Sequence, residues 1–371
     1  MFLAIRDIRF AKGRFALMGG VVALITLLLV LLSGLTAGLG NQSTSSIADL
    51  GKPTHAPVDQ LVFGAPGAND PTVSFTESQV TQGQVNAWAR QPGVASAVPL
   101  GIRQTRLQGA GDAKGTTNVA VFGVGGGGAK AGIAPSGLSD STAIIGGKVA
   151  KDLHLAVGDA VSLGGSTLKV SAVVPDQWYS HTSVVWTSLP TWTRLAHLSD
   201  PAQLATVVAV TYDGGTSVDA GAANAAAGTV STTRSGAFQG LGGYKSENGS
   251  LLMMQAFLYG ISALVIVAFL TVWTVQRTRD IAVLKAMGAS GTYLLRDALT
   301  QAALVLLAGA LLGGLVSVAG GFFAAQAAPF LLTPATTVLP MLGIVALGLA
   351  GAALAVRKVT KIDALIALGG S

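Results

Sequence analysis

Residues 298–356 read ALTQAALVLLAGALLGGLVSVAGGFFAAQAAPFLLTPATTVLPMLGIVALGLAGAALAV, and no charged side chain interrupts these 59 residues. A helix needs about 20 apolar residues to cross the hydrocarbon layer of a bilayer, so this run is too long for one span. Prolines at positions 329, 334 and 340 divide it. We predict transmembrane helices at 298–327 and 338–356, joined by an outer loop at 328–337. The first helix is long and rich in glycine, which predicts either a tilt in the membrane or close packing against a neighbour.

Two further apolar runs lie earlier in the chain. Residues 15–40 follow four basic residues, and no charge occurs from Phe15 to Ala48. A cleaved signal peptide is the alternative interpretation, but its apolar core is about 7–15 residues long, shorter than this run. Residues 251–276 form the second run. The sequence therefore predicts four transmembrane helices.

The distribution of charge predicts the orientation of these helices. Four spans place both termini on one side of the membrane, together with the basic segments 1–14, 277–297 and 357–371. The excess of Lys and Arg on cytoplasmic loops assigns that side to the cytoplasm of the cell (plasma) membrane. We therefore predict a polytopic α-helical membrane protein with a large mixed α/β extracytoplasmic domain, residues 41–250, between helices 1 and 2.

The composition supports a membrane protein and excludes several other classes. Half of the 371 residues are hydrophobic, only 11% are charged, and there is no cysteine. Disulfides, zinc–thiolate sites and iron–sulfur clusters are thereby excluded. The net charge of +6 does not indicate a nucleic-acid partner, because residues 41–250 hold 12 Lys/Arg and 13 Asp/Glu. The positive charge lies beside the apolar runs.

The region from Asp140 to Pro175 gives the clearest local pattern in the α/β domain. Ala143–Ile145 is a predicted strand and Lys148–Leu155 a short helix. Ala160–Leu163 and Thr167–Val174 are predicted strands joined by a tight turn at Gly164-Gly165. The rest of the domain reads as many short strands with further helices.

No motif in the chain predicts a catalytic site or an intrinsic cofactor. Gly123–Gly128 lacks the lysine and hydroxyl of a phosphate-binding loop, and Gly146-Gly147-Lys148 is followed by Val149 where that motif needs Ser or Thr. The histidines at positions 55, 154, 181 and 197 are widely spaced, and we assign them no ligand role.

The segment between helices 2 and 3 is the most specific part of the sequence. Residues 276–290 read QRTRDIAVLKAMGAS. Ile281, Leu284 and Met287 form an apolar stripe on a short predicted helix, which Gly288 ends as a left-handed cap. Such a helix either docks on a soluble partner or lies inert in the interface.

This segment closely resembles the cytoplasmic connector of the MacB/FtsX-like permeases of ABC transporters. The other marks of that family are the amphipathic segment Phe2–Arg9, the module Ile145–Asp159 and the tail Arg357–Leu365. The order of one span, a large outer domain and three spans also matches. The resemblance covers essentially the whole chain.

The resemblance implies a permease that forms a homodimer in the lipid bilayer and recruits two copies of a separate ABC ATPase. The chain itself lacks the Walker A, signature and Walker B motifs, so ATP would bind to the partner chain, and the permease is not expected to be an enzyme. In the family, closure of the ATPase is transmitted through the connector. That coupling role is carried to six residues: Ile281, Leu284, Lys285, Met287, Arg6 and Arg9.

A second, shorter resemblance concerns the substrate. Residues 243–248, GYKSEN, with Leu251–Met254 after them resemble the stretch before span 2 in HrtB-like, haem-exporting permeases. Haem iron accepts Tyr, Met, His or carboxylate ligands. The candidate haem residues are Tyr244, Glu247, Met253, Met254 and, near the other end of span 1, Met18. The alternative is that the methionines fill helix packing and Tyr244 belongs to an interfacial aromatic belt.

Three functions follow as hypotheses. The first is ATP-driven export of haem captured laterally from the membrane, with no metal other than the haem iron. The second is efflux of an amphipathic drug, peptide or lipid. The third is an FtsX-like signalling scaffold that controls an extracellular hydrolase without transporting anything.

Overall fold

The computed structural model describes residues 12–51, 58–110, 115–214, 218–276, 283 and 287–359. The chain divides into two compact units. A membrane unit combines Met1–Leu39 with Gly249–Ser371, and an α/β domain comprises Gly40–Asn248.

The helices and strands of the described residues follow one another in this order: α1 (Lys12–Ala48), β1 (Gln60–Phe63), β2 (Val80–Thr81), α2 (Gln82–Ala89), β3 (Val94–Gly109), β4 (Thr116–Val124), β5 (Thr142–Gly146), α3 (Gly147–Asp152), β6 (Ala160–Leu163), β7 (Ser166–Val174), β8 (Trp178–Tyr179), β9 (Thr182–Ser188), α4 (Leu189–Ala196), β10 (Gln203–Ala205), β11 (Val207–Tyr212), α5 (Ala220–Ala227), β12 (Val230–Thr232), α6 (Arg234–Ala237), a 3₁₀ turn (Phe238–Gly240), α7 (Tyr244–Gln276), α8 (Gly291–Ala327) and α9 (Pro334–Val359).

Among the residues that the structure describes, four helices (α1, α7, α8 and α9) are long and apolar enough to cross a membrane, which agrees with the predicted four spans. Each is longer than the span predicted for it; α8, for example, begins at Gly291 rather than at residue 298.

The prolines of α9 fit within the helix. Pro334 occupies its first position, where the N–H that proline lacks would have no partner within the helix. Pro340 lies inside the helix and does not break it. The loss of one backbone hydrogen bond near the start does not outweigh the bonds made by the rest of the helix.

Small residues bring α1 and α8 into close contact in the membrane unit. A β-carbon at Gly309 would lie 2.8 Å from the carbonyl oxygen of Gly19, and one at Gly313 would overlap the carbonyl oxygen of Ala23. One turn further on, the Oγ of Ser317 lies 3.3 Å from the carbonyl oxygen of Leu27. The predicted close packing of this helix is therefore present, and it occurs through small residues spaced four apart.

The described residues of the α/β domain form one ten-stranded sheet, with a separate two-stranded pair. Its strand order is β12-β1-β11-β3-β4-β9-β5-β7-β6, with β8 paired to β9 and β3 paired also to β6. The last pairing closes β3, β4, β9, β5, β7 and β6 into a ring. Strands β2 and β10 form a separate pair. This architecture confirms a mixed α/β domain between the first two membrane helices.

Strand β3 differs from the expected many short strands because it is 16 residues long. Its first half pairs with β11, its second half with β4, and its last three residues with β6. Pro99 lies inside this strand opposite Val208. The single strand therefore belongs both to the ring and to the extension formed by β11, β1 and β12.

Alternate residues along each strand face two separate apolar cores. On β4, Val119 and Val121 pack in one core, whereas Ala120 and Phe122 pack in the other. The first core also receives Trp192 from α4. Gly101 and Gly123 are partners on neighbouring strands, and a β-carbon at either would overlap the indole ring of Trp192. The glycine pair thus forms the slot that holds this tryptophan.

The predicted hairpin after the short helix α3 is confirmed. Strands β6 and β7 pair antiparallel from Leu163 opposite Ser166. Gly164 and Gly165 both have positive φ, 51° and 84°. A two-residue hairpin of this kind needs positive φ at both positions, which glycine adopts without a steric penalty.

Candidate functional site

Four of the predicted haem residues lie on the first turns of α7. Tyr244 is the first residue of the helix and packs edge-on against Phe238, with ring centroids 5.9 Å apart. Met253 and Met254 are 61% and 50% exposed. Successive helix residues are about 100° apart, so Met254 falls about 20° from Glu247 around the axis and Met253 about 120° away. Met254 is therefore the methionine that shares the side of Glu247.

A histidine pairs with Glu247. The Nε2 atom of His181 lies 2.9 Å from Oε2 of Glu247 and 3.1 Å from the Oγ of Ser43. The tautomer of His181 decides whether Nε2 donates or accepts in these contacts, and only a protonated Nε2 can donate to a carboxylate. Both side chains of this pair remain partly exposed to solvent. We call Ser43, His181 and Glu247 the His181 junction; it lies within the α/β domain.

The backbone around His181 explains how the side chain reaches Glu247. Ser180 and His181 form the two-residue loop between β8 and β9, and both have positive φ, 43° and 63°. Positive φ is costly for residues with a β-carbon, and such strain often marks a functional position. The amide of Ser180 donates to the carbonyl of Ser43 at 3.1 Å, and that of His181 to the carbonyl of Gln42 at 2.9 Å. These bonds to the end of α1 hold the strained loop in place.

Tyr179 anchors the same hairpin in the core. Its ring packs edge-on against Phe75 and Phe122, with centroid distances of 5.8 and 5.6 Å. Burial raises the pKa of Tyr179, so the phenol stays neutral at physiological pH. The hairpin that carries His181 is thus fixed at its base by aromatic packing and at its tip by backbone hydrogen bonds.

The sequence predicts no role for His181. A Ser-His pair between two short strands lacks the Asn-Gly or Gly-Gly composition that predicts a two-residue turn. Its pairing with Glu247, 66 residues further along the chain, depends on the tertiary fold. No local signal in the sequence would have identified it.

Met18 lies apart from the methionines of α7. It is only 5% exposed and borders an apolar cleft of about 600 Å³ between α1 and α7. The nearest wall of that cleft on α7 begins at Val265, 11 residues after Met254. At 1.5 Å per helical residue, this is a separation of about 16 Å along the helix. The structure therefore does not bring Met18 together with Met254.

The predicted coupling residues are described only in part. Ile281, Leu284, Lys285, Arg6 and Arg9 lie outside the described residues.

Met287 is 72% exposed, and its amide donates to the carbonyl of Val283 at 3.0 Å. Gly288 has φ +95°, the left-handed conformation expected of a helix-ending glycine. Ser290 then caps α8 by accepting a hydrogen bond from the amide of Tyr293. Met287 therefore presents an exposed apolar side chain immediately before a new helix begins.

Among the residues that the structure describes, no group of three or more His, Asp or Glu side chains is placed to hold a metal ion. The α/β domain contains a second cleft of about 330 Å³, which Arg103, Gln104, Trp192 and His197 help to line. None of the predicted site residues borders this cleft.

Two family profiles match the chain. A MacB-like periplasmic core domain matches residues 15–227, and an FtsX-like permease C-terminal domain matches residues 252–364. The first match covers more than half of the chain. The two matches follow one another in the order of the α/β domain and the last three membrane helices.

Relatives are found over the whole chain and over part of it. An uncharacterized ABC transporter permease of Mycobacterium tuberculosis is 26% identical over 385 aligned residues, covering 100% of this chain and 99% of the relative. A protein of Staphylococcus epidermidis named as a hemin transport system permease, HrtB, is 26% identical over 218 residues, covering 58% of this chain and 60% of the relative.

Two solved structures of isolated domains are also similar. They are the periplasmic region of MacB from Actinobacillus actinomycetemcomitans (TM-score 0.36, 12% identity, 52% of this chain and 94% of that one) and the extracellular domain of the transporter YknZ from Gram-positive bacteria (TM-score 0.34, 15% identity, 47% and 98%). From the two profile matches and the four membrane helices, we conclude that this chain is a multi-pass membrane protein of the MacB/FtsX-like family of ABC transporter permeases.

Proposed function

We propose that the chain is the permease subunit of an ABC-type exporter that removes haem from the membrane, powered by a separate ATPase. In this proposal the protein lies in the plasma membrane with both termini in the cytoplasm and the α/β domain outside. It acts as a homodimer with two copies of the ATPase.

The proposal of a separate ATPase rests on membership of the permease family and on the absence of a Walker A phosphate-binding motif from the sequence. The exposed Met287 and the half-exposed Val283 belong to the segment that resembles the family connector. Apolar side chains exposed beside a basic segment are suited to docking on a soluble protein.

The pairing of His181 with Glu247 is the observation that carries the haem assignment furthest. It adds an imidazole to the phenol of Tyr244 and the carboxylate of Glu247, and all three groups are known types of axial haem ligand. Met254 follows two helical turns later on the side of Glu247. The named function of the HrtB relatives supports the same cargo.

The test is the absorption spectrum of the chain purified with its ATPase from cells supplied with haem. A Soret band is expected in the parent, and it should be lost or shifted in Glu247→Ala and Met254→Ala. Met253→Ala is the matched control, because it removes another exposed thioether from a different side of the same helix.

The possible outcomes separate the proposal from its rivals. A Soret band unchanged in both variants would place the haem elsewhere. Absence of haem from the parent, with an ATPase rate that does not respond to haem, would exclude haem as the cargo. Stimulation by unrelated amphiphiles would then indicate general efflux, whereas an extracellular protein bound by the α/β domain would indicate signalling.

A further inference from the structure

The cleft of about 330 Å³ in the α/β domain is lined mainly by polar side chains. It lies between β3, the C-terminal end of α4 and residues 75–79. Arg103 and His197 border it, and among the described residues that line it none is Asp or Glu. Its volume is at the lower end of the range of about 300–1,000 Å³ that is typical of ligand sites. The size suits a small group, and the lining favours a group that carries negative charge.

Two residues that border this cleft have buried polar atoms without a hydrogen-bond partner. They are a donor, Nε1 of Trp192, and an acceptor, Oε1 of Gln79, and neither is paired within the described part of the chain. Trp192 is 2% exposed, and Gly101 and Gly123 hold its ring in place. Buried polar atoms are nearly always paired, so an unpaired donor and an unpaired acceptor beside one cavity require an explanation. A bound group that both accepts and donates hydrogen bonds supplies one.

Arg103 is held beside the cleft by a contact of its own. Its guanidinium donates to the carbonyl oxygen of Ala196, the last residue of α4. A guanidinium has five N–H donors, so this bond leaves others for a ligand. The planar arrangement of these donors matches the two oxygens of a carboxylate. The contact with Ala196 therefore positions a carboxylate-binding group without using it up.

His197 supplies a second potential donor at the same end of α4. It caps the helix with φ +45°, a left-handed conformation that is costly for a residue with a β-carbon and often marks a functional position. Gln104 also borders the cleft, but its Nε2 already donates to the carbonyl of Ser180 and to the hydroxyl of Thr182. Arg103 and His197 are thus the lining residues best suited to receive an anion.

We propose that this cleft binds the carboxylate of a peptide, carried either by an acidic side chain or by the C-terminus. The carboxylate accepts hydrogen bonds from Arg103 and His197. A peptide carbonyl accepts from the indole of Trp192, and a peptide N–H donates to Gln79. A fully ionised phosphate fits less well, because it has no donor for the oxygen of Gln79. The site is separate from the proposed haem residues and does not depend on the cargo of the transporter.

The test measures binding of three N-acetylated dipeptides to the full chain purified in detergent, by isothermal titration calorimetry. Acetyl-Ala-Glu-amide has only a side-chain carboxylate, acetyl-Ala-Ala has only a C-terminal carboxylate, and acetyl-Ala-Gln-amide has neither. We expect at least one carboxylate peptide to bind about tenfold more tightly than the neutral peptide, because hydrogen bonds to charged groups are the stronger ones. The peptide that binds identifies the source of the carboxylate.

Substitutions of Arg103 test its role. Arg103→Gln removes the positive charge and should weaken binding of the carboxylate peptide about tenfold, whereas Arg103→Lys keeps the charge and should bind more tightly than Arg103→Gln. Arg106→Gln is the matched control, because it removes an exposed arginine of the same strand that does not line the cleft. Thermal unfolding of each variant separates a loss of binding from a loss of the fold.

A measurement on the parent chain does not depend on these variants. The bound peptide should slow amide exchange at residues 101–104 and 196–199, and inorganic phosphate should not displace it. Equal affinity for the carboxylate and neutral peptides, or no binding of any of them, would overturn the proposal. So would an equal loss in Arg103→Gln and Arg106→Gln, or displacement by phosphate. None of these outcomes changes the expected Soret band, so the proposed haem export is tested separately.

Discussion

The α/β domain buries its largest apolar side chains, whereas the membrane unit leaves many of its own large apolar side chains exposed. Trp88 and Trp186 are almost completely buried in the domain, while Leu264, Leu315 and Phe323 of the membrane helices are about two-thirds exposed. Water drives the first pattern, because burial of apolar area stabilises a domain in water. Lipid supplies no such force between helices, so association there depends on close contact and shape.

The two units also differ in the partners of their polar side chains. Ser262 and Thr274 of α7 donate to carbonyls four residues earlier in their own helix. In the domain, the indole of Trp88 donates to Thr229, and Ser78 donates to the carbonyl of Thr206. Hydrogen bonds of side chains therefore join distant segments in the domain but serve mainly single helices in the membrane unit.

The largest effect is expected where two membrane helices meet. In Gly313→Val the new side chain would overlap the backbone of α1 at Ala23, which cannot move as a side chain can. We expect a loss of stability of about 3 kcal/mol or more, because overpacking at a backbone contact cannot be relieved locally. Thermal stability of the detergent-purified chain measures this loss. Gly320→Val on the same helix has open space and should retain the parental stability.

The second largest loss of stability is expected in the core of the α/β domain. Gly123→Ala would place a methyl group against the side chain of Trp192, which can move only by disturbing α4. A destabilisation of about 1–3 kcal/mol is expected for this overpacking. Hydrogen exchange of the amides of β4 and α4 would report it. If Gly126→Ala, in open space nearby, had the same effect, the slot would not be the cause.

A smaller effect is expected at the His181 junction. His181→Ala removes both side-chain contacts, to Glu247 and to Ser43, and leaves the strained backbone in place. We expect a loss of about 1 kcal/mol, the usual net value of a partly exposed hydrogen bond. Faster amide exchange near residues 180–182 is the measurement.

The comparison variant for the junction is His154→Ala, which changes another histidine of positive φ. It should leave exchange at residues 180–182 unchanged. A similar response to both substitutions would assign the effect to a general loss of stability rather than to the pairing with Glu247.

The smallest change in stability is expected from removing a hydroxyl group on a membrane helix. Thr271 is exposed and donates to the carbonyl of Val267 at 2.7 Å within its own helix. Thr271→Ala should change stability by less than about 0.5 kcal/mol, because the carbonyl keeps its backbone partner. A larger loss in a thermal scan would show that this side chain joins α7 to another segment.

Sequence predicted the membrane helices well because length and the absence of charge are sufficient to identify them. It also predicted the turn at Gly164-Gly165, where the backbone conformation requires glycine. It did not predict β3 as one strand, since Pro99 removes a backbone donor and argues against a strand interior. The pairing of β3 with three other strands compensates for that loss, and pairing is a property of the fold.

Some residues of the candidate site could likewise be predicted from the sequence, and others could not. Tyr244 and Glu247 could be proposed because they form a short motif immediately before an apolar run. His181 could not, because its position results from a hairpin tip that is bound to a segment more than 130 residues earlier. The different surroundings of Met18 and Met254 also depend on how the helices pack. Sequence therefore identifies groups with suitable chemistry, and the fold decides which of them meet.

Strand β3 has a mechanical consequence. Its residues 94–100 pair with β11 and residues 107–109 pair with β6, so the same backbone is held at both ends by different parts of the sheet. A pull along this strand loads the hydrogen bonds of several partners in shear, all at once, instead of opening them one after another. The α/β domain can therefore bear tension along β3, because β11, β4 and β6 share the load on that one strand.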